Sequence, residues 1–319
     1  MIPGIGISVS KLNSQKLTPM WIALDFNGYN YMYYSYDATT WVRITIAWAG
    51  KSVANNGKMW VMGCGYGRMQ YSANGINWTT TDTGGLFTNC NAVAWNGKMW
   101  VGGCTGTNSF ISSTDGINWT ARGTSGLTSG CNALAWNGSL WVAVGTGTYK
   151  IASSTDAITW TGRDTSVFTS GNGVAWNGSI WVAAGNGTTN TLASSTDGIT
   201  WTGRGTTILS AAYGICVGGM NTFYVVGNGP YYQIAASSSG TSWSGMAYQL
   251  NPFVAGGEGK RMAFNGTDYG AVGGFANKFF VKSANGSTFT NTIQIRTYIN
   301  ENWGDISSYP APKLYPAIL

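Results

Sequence analysis

Histidine is absent from this 319-residue chain, which removes the commonest general base and metal ligand near neutral pH. Carboxylates are nearly as scarce: Glu258 and Glu301 are the two glutamates, and nine aspartates complete the acids. Charged residues make up 9% of the sequence, against roughly 25% in an average soluble domain. The five cysteines form no Cys-x-x-Cys pair, so a zinc site is not indicated. Their odd number leaves at least one thiol without a partner in the chain. Lys and Arg nowhere cluster among aromatics, which argues against a nucleic-acid partner. No apolar run reaches the roughly 18 residues of a membrane-spanning helix. The opening MIPGIGISVSKLNSQKL has neither the charged start nor the apolar stretch of a secretory signal. Membrane insertion and export by that route are therefore not expected, and no cofactor or metal is implied.

What is present is apolar, aromatic and glycine-rich. Hydrophobic residues are 44% of the chain, with 47 Gly, 16 Trp, 17 Tyr and 11 Phe. That is too much apolar surface for a disordered chain. The net charge of +6 comes from a shortage of acids rather than from basic runs. Surface polarity must come from Gly, Ser, Thr and Asn, as it does in capsid proteins, adhesins and lectins.

The chain repeats itself. The segment 91–120, NAVAWNGKMWVGGCTGTNSFISSTDGINWT, returns at 132–161 and again at 172–202. One aromatic landmark occupies Trp21, Trp60, Trp100, Trp141, Trp181, Phe223 and Tyr269; a second occupies Trp41, Trp78, Trp119, Trp160, Trp201, Trp243 and Phe289. The second series is spaced 37, 41, 41, 41, 42 and 46 residues apart, so seven units are counted. A period of about 40–45 residues with four strands per unit is the mark of propeller blades. Within a unit, NALAW reads as the inner strand and Asn137-Gly138 as a two-residue hairpin turn. SLWVAVG is then the second strand, IASS the third, and the fourth starts at Trp160. The expected fold is an all-β, seven-bladed propeller of four antiparallel strands per blade over 1–298, followed by an extended C-terminal tail, 299–319. Blades fall at about 4–48, 49–85, 86–126, 127–167, 168–208, 209–255 and 256–298. IGISVSKL supplies the first inner strand in this reading. The tail straps the side of the propeller or docks on a neighbouring subunit.

The turn Ser113-Thr114-Asp115-Gly116-Ile117-Asn118-Trp119 resembles the Asp-box of sialidase-type propellers, one residue shorter. Ser154–Trp160 and Ser195–Trp201 match likewise, and Ser72–Trp78 carries Asn74 for Asp. The resemblance implies a structural role for Asp115, Trp119, Asp156, Trp160, Asp197 and Trp201: the carboxylate caps turn N–H groups and the Trp covers the hairpin. The whole unit also resembles uncharacterised repeats common in proteins of large DNA viruses and phages.

Few residues are left for chemistry. A sialidase would need a Tyr/Glu pair, an acid Asp and three converging arginines, and the near-identical blades show no such departures. Strand direction puts the Asn-Gly and Asp turns on one face, and the second-to-third loops and blade connections on the other. Sequence variation concentrates on this second face, as at Gly65–Met69 and Gly145–Lys150. Arg122, Arg163 and Arg204 recur three residues after the fourth-strand Trp and are expected on that face near Tyr149, Tyr231 and Tyr232. Arg with aromatics suits sugars or carboxylates; alternatively each Arg serves its own blade and recurs because the blade recurs. The cysteines read as small buried thiols, with a disulfide between strand ends as the other option.

The sequence thus points to a noncatalytic binding or structural propeller, a virion or particle component touching other particle or capsid proteins or host-surface glycans. A soluble glycan-binding lectin is the alternative, an Asp-box glycosidase the least favoured reading, and a cytoplasmic location the alternative to a particle surface.

Overall fold

Short alternating segments broken by glycines have no helical period, and they become strands. The computed structural model describes residues 21–25, 30–36, 40–164, 166–229 and 231–246, and the backbone of 258–264, 269–274, 279–283, 291–294 and 303–308. Among the described residues the helical content is one 3-10 turn, Gly219–Asn221.

The chain enters with β1 (Trp21–Asp25), β2 (Tyr31–Ser35) and β3 (Val42–Thr45), an antiparallel meander. Six four-stranded antiparallel sheets then follow in chain order. The first is β4 (Gly50–Asn55), β5 (Trp60–Cys64), β6 (Arg68–Ser72) and β7 (Thr79–Asp82). Next come β8 (Asn89–Trp95), β9 (Trp100–Thr105), β10 (Phe110–Ser113) and β11 (Thr120–Ala121). The third holds β12 (Gly130–Trp136), β13 (Trp141–Thr146), β14 (Ile151–Ser154) and β15 (Thr161–Asp164). The fourth holds β16 (Ser170–Trp176), β17 (Trp181–Asn186), β18 (Leu192–Ser195) and β19 (Thr202–Gly203). The fifth is β20 (Ala211–Val217), β21 (Phe223–Asn228), β22 (Ile234–Ser237) and β23 (Ser244–Gly245). The sixth is β24 (Glu258–Phe264), β25 (Tyr269–Gly274), β26 (Phe279–Ser283) and β27 (Asn291–Gln294).

The opening meander gains its fourth strand from the far end of the chain. β28 (Trp303–Ser308) pairs antiparallel with β1, Trp21 opposite Ser308 and Asp25 opposite Trp303. β28 lies against β24 on one side and β4 on the other, and each further inner strand touches the next around the circle. The expectation that residues 299–319 form a strap outside the repeat is corrected here: 303–308 fill the inner position assigned to IGISVSKL. The division into 1–298 and 299–319, and a first blade of 4–48, change with it. IGISVSKL itself, and the tail beyond 308, lie outside the described residues. The physical reason is the exposed edge of β1, whose unpaired N–H and C=O groups need a partner.

Aromatic landmarks hold the layers together. Trp100, Trp141, Trp181 and Phe223 open the second strands and are completely buried. Across the inner hairpins the tilted pairs Trp95–Trp100, Trp136–Trp141 and Trp176–Trp181 repeat at 5.1–5.2 Å between ring centroids. Between sheets, Phe110 of one stacks on Trp160 of the next at 3.9 Å and 4°. Truncating such an aromatic to Ala costs about 3–5 kcal/mol.

Each inner strand also carries a β-bulge at one level. The extra residue falls between Gly50 and Ser52, Cys90 and Ala92, Cys131 and Ala133, Gly171 and Gly173, Ala212 and Gly214, and Gly259 and Arg261. A bulge bends its strand and raises its twist, as blades crowding round an axis require. In three successive sheets the bulge residue is Asn, and its amide reaches the next sheet. Asn91 Nδ2 donates to the Cys131 carbonyl at 3.3 Å, Asn132 to Gly171 at 2.9 Å and Asn172 to Ala212 at 2.9 Å. These bonds form a girdle between inner strands that have no ladder to share.

Candidate functional site

The two faces differ in what their charged and amide side chains bind. On the face of the inner hairpins, the Asn-Gly turns centre one residue later than expected from sequence, with Asn137 N donating to Leu140 O at 3.2 Å. Trp136 pairs with Trp141, so the turn centres on Gly138 and Ser139. Gly138 takes φ 105°, while Asn137 accepts from Ser139 N and Leu140 N through its side chain at 2.9 and 2.7 Å. In the neighbouring Asp turns, Asp115 Oδ1 accepts from Ile117 N and Asn118 N, both at 2.8 Å, and Ser113 Oγ accepts from Gly116 N at 2.8 Å. Asp156 and Asp197 repeat the same bonds at 2.8 Å. Backbone donors on Thr200 and Ile199 hold the Asp197 carboxyl down to about 2, and the Asp156 carboxyl is lowered by the same contacts from Thr159 and Ile158. Trp160 and Trp201 are buried over their hairpins and Trp119 is half-buried. These carboxylates are committed to turns, not aimed at a ligand.

The opposite face retains unspent groups. Arg122, Arg163 and Arg204 each donate Nε to a serine hydroxyl ten residues earlier on the third strand of the same sheet: Ser112 at 2.8 Å, Ser153 at 2.7 Å and Ser194 at 2.8 Å. The three arginines therefore stand in a row, one per sheet, and do not converge on one point. Their Nη groups have no partner among the described residues. Tyr149 lies flat against Gly162, beside Arg163, so closely that a Cβ there would sit 2.3 Å from the ring. Tyr232 lies on Gly245 in the same way, one sheet beyond Arg204, and Tyr231 stands edge-on to it at 6.4 Å, 71% exposed. Asn190 takes the corresponding place against Gly203. Tyr149 and Tyr232 are thus packing residues of their own sheets. Arg204 lines a concavity with Gly205, Thr207, Ile208, Thr241 and Trp243. Its volume is about 180 Å³, below the roughly 300 Å³ at which pockets for small-molecule ligands begin.

Sequence reasoning passed over one constellation on this face. The β5–β6 turn is closed by Arg68 N donating to Gly65 O at 3.2 Å, with Tyr66 at φ 57° and Gly67 at φ 67°. Positive φ at both central residues is the type I′ arrangement, which favours Asn-Gly. A tyrosine there costs about 1–2 kcal/mol. Tyr66 is 80% exposed, and its ring meets that of Trp48 at 6.0 Å and 53°. The Arg68 guanidinium lies 5.3 Å from the Trp48 ring centroid and pairs with Asp82. The sequence signal was Gly-Tyr-Gly where a cheaper turn residue would serve.

Among the described residues the cysteines carry free thiols, buried except for half-buried Cys216. Cys90 and Cys104 are direct cross-strand partners. Among the described residues no three His, Cys, Asp or Glu side chains gather as metal ligands, and no helix is long and apolar enough to cross a membrane.

No family model matches the sequence, and no curated protein matches it. Solved structures do match. A putative 6-phosphogluconolactonase from Bacteroides fragilis is 12% identical, with a TM-score of 0.61 over 93% of this chain and 99% of that one. The RRP9 WD40 repeats are 8% identical, with a TM-score of 0.61 over 82% and 84%. A chain of the nidogen/laminin complex is 9% identical, with a TM-score of 0.55 over 91% and 98%. At such identities the likeness is one of fold: the chain has an all-β, propeller-like architecture of four-stranded antiparallel sheets.

Proposed function

We propose that the chain is a noncatalytic, seven-bladed binding propeller, an Asp-box-like repeat protein that serves as a component of a virion or comparable particle and makes contact through its second-to-third loops. The observation that carries this reading is the asymmetry of the faces. On one face the Asn and Asp side chains are spent on the backbone donors of their own turns. The other holds Arg122, Arg163 and Arg204, bound through Nε to their own sheets with Nη groups unpartnered among the described residues, and the exposed rings of Tyr66 and Tyr231. Catalysis is disfavoured by a sequence without histidine and by aspartates spent on backbone donors. A hydroxyl- and amide-rich surface with 9% charged residues suits contact with other particle proteins or a glycan-bearing surface.

The test is proteomics and imaging of purified native particles, with labelled antibody locating the loop face. Absence of the protein from the particles overturns the particle role. Substituting Arg122, Arg163 and Arg204 together by Ala should weaken attachment while leaving the fold intact; unchanged attachment removes those arginines from the contact.

A further inference from the structure

The Tyr66 turn is more than a hairpin end. Its left-handed tyrosine is held from several sides. Gly67 N donates to Thr88 O at 3.3 Å, and Thr83 donates to Gly67 O through both N (3.2 Å) and Oγ1 (2.7 Å). Gly65 bridges to Asn89. Trp48 is fixed by Gln70, whose Nε2 donates to its carbonyl at 3.0 Å. Asp82 is oriented as well, since its Oδ1 accepts from Gly84 N at 3.0 Å while Oδ2 meets Arg68. A strained residue that its surroundings over-determine, bearing an exposed aromatic ring, is a pointer to function.

From this geometry we infer that Trp48, Tyr66, Arg68 and Asp82 form a binding subsite for a neutral pyranose unit of a glycan. The Tyr66 ring, 80% exposed, presents the open π-surface that the C–H face of a pyranose ring covers, and Trp48, packed against the core, backs it at 6.0 Å and 53°. Beside them stand a planar donor and a planar acceptor, Arg68 and Asp82, which suit adjacent hydroxyls. The ion pair between them cancels their charges, so the site favours a ligand with many hydroxyls and no net charge over a carboxylated sugar. The cation–π contact of Arg68 with Trp48 holds the guanidinium beside the rings. The subsite rests on the reading of this molecule as a binding propeller and names the ligand for one part of its loop face.

Saturation-transfer NMR on the full chain, with methyl glycosides of glucose, galactose, mannose and N-acetylglucosamine as probes, tests this inference. At least one glycoside should bind with Kd on the order of 1 mM. Tyr66→Asn keeps a residue suited to the turn, so it should weaken binding at least tenfold without lowering the unfolding temperature. Tyr66→Phe, which keeps the ring, should bind within a factor of about three of the native chain. No binding of any glycoside overturns the subsite, as does binding that Tyr66→Asn leaves unchanged. If the glycosides fail but purified particle proteins are still captured, the subsite falls and the binding propeller stands. If both fail, both fall.

Discussion

Ala157 occupies a place in its Asp turn where the equivalent turns of four other sheets have glycine among the described residues. It holds φ 61°, against 72° at Gly75, 75° at Gly116 and 71° at both Gly198 and Gly240. A left-handed L-residue costs about 1–2 kcal/mol, and the buried methyl group returns about 0.8 kcal/mol of that. Ala157→Gly is therefore expected to range from neutral to about 1 kcal/mol stabilising, read as a denaturant midpoint. Gly198→Ala goes the other way: its Cβ would stand 2.7 Å from Leu140 Cδ2 and 3.1 Å from Trp181 Nε1. Overpacking of that kind costs roughly 1–3 kcal/mol, and an equal midpoint in the two variants would contradict this account. Cys64 gives a second prediction at the same scale. Burial pushes its thiol up to about 12 from an ordinary 9.0, although Gln70 donates a hydrogen bond to the sulfur. Because the folded value is the higher one, the thiol's contribution to stability is complete below pH 9.0 and is lost as pH rises towards 12. The native chain should resist alkylation of Cys64 at pH 8, and Cys64→Ala should show a shallower alkaline decline in unfolding temperature.

The Asp turn is the most local element in the molecule, which is why it was legible. Its bonds close within three residues, so Ser-Thr-Asp-Gly states the geometry outright. Asn74 shows what the element requires: its Oδ1 accepts from Ile76 N and Asn77 N at 2.9 Å, with no charge involved. Asp197→Asn should therefore change stability at pH 7 by less than about 0.5 kcal/mol. The Asp197 carboxyl is lowered from 3.8 to about 2. Its contribution is present above pH 3.8 and is lost as pH falls towards 2, so the Asn variant should lose less stability over that interval; equal acid sensitivity would refute the assignment. The arginines were half legible. Their recurrence was plain, but it could not distinguish a ligand set from a blade feature. The serine ten residues before each one recurs at the same spacing, and that was the available clue. The Tyr66 turn was visible as a loop, while its left-handed backbone is a torsion that no residue count supplies.

At the scale of the whole molecule, the sheet pattern was legible from the period, because each unit repeats its landmarks. The closing strand was not. WGDISS shares no landmark with NAVAW or NALAW, and Trp21 pairs with Ser308 across almost the entire sequence. A pairing so distant leaves no local trace. Removing residues 303–319 should leave β1 with an open edge and part β24 from β4. Each kcal/mol lost shifts the midpoint by roughly 2–4 °C in a domain somewhat smaller than this one. The truncated chain is expected to unfold at least 10 °C lower (an estimate on that scale) or without a single cooperative transition, as followed by calorimetry. A truncated chain with the native unfolding profile would show that β28 is dispensable.

Synthesis runs from the N-terminus, so β28 cannot fill the slot beside β1 until residues 303–308 have left the ribosome. Until then the nascent protein displays a bare strand edge to every neighbouring polypeptide. Timing, rather than affinity alone, then decides whether that edge receives β28 of its own chain or a strand from another.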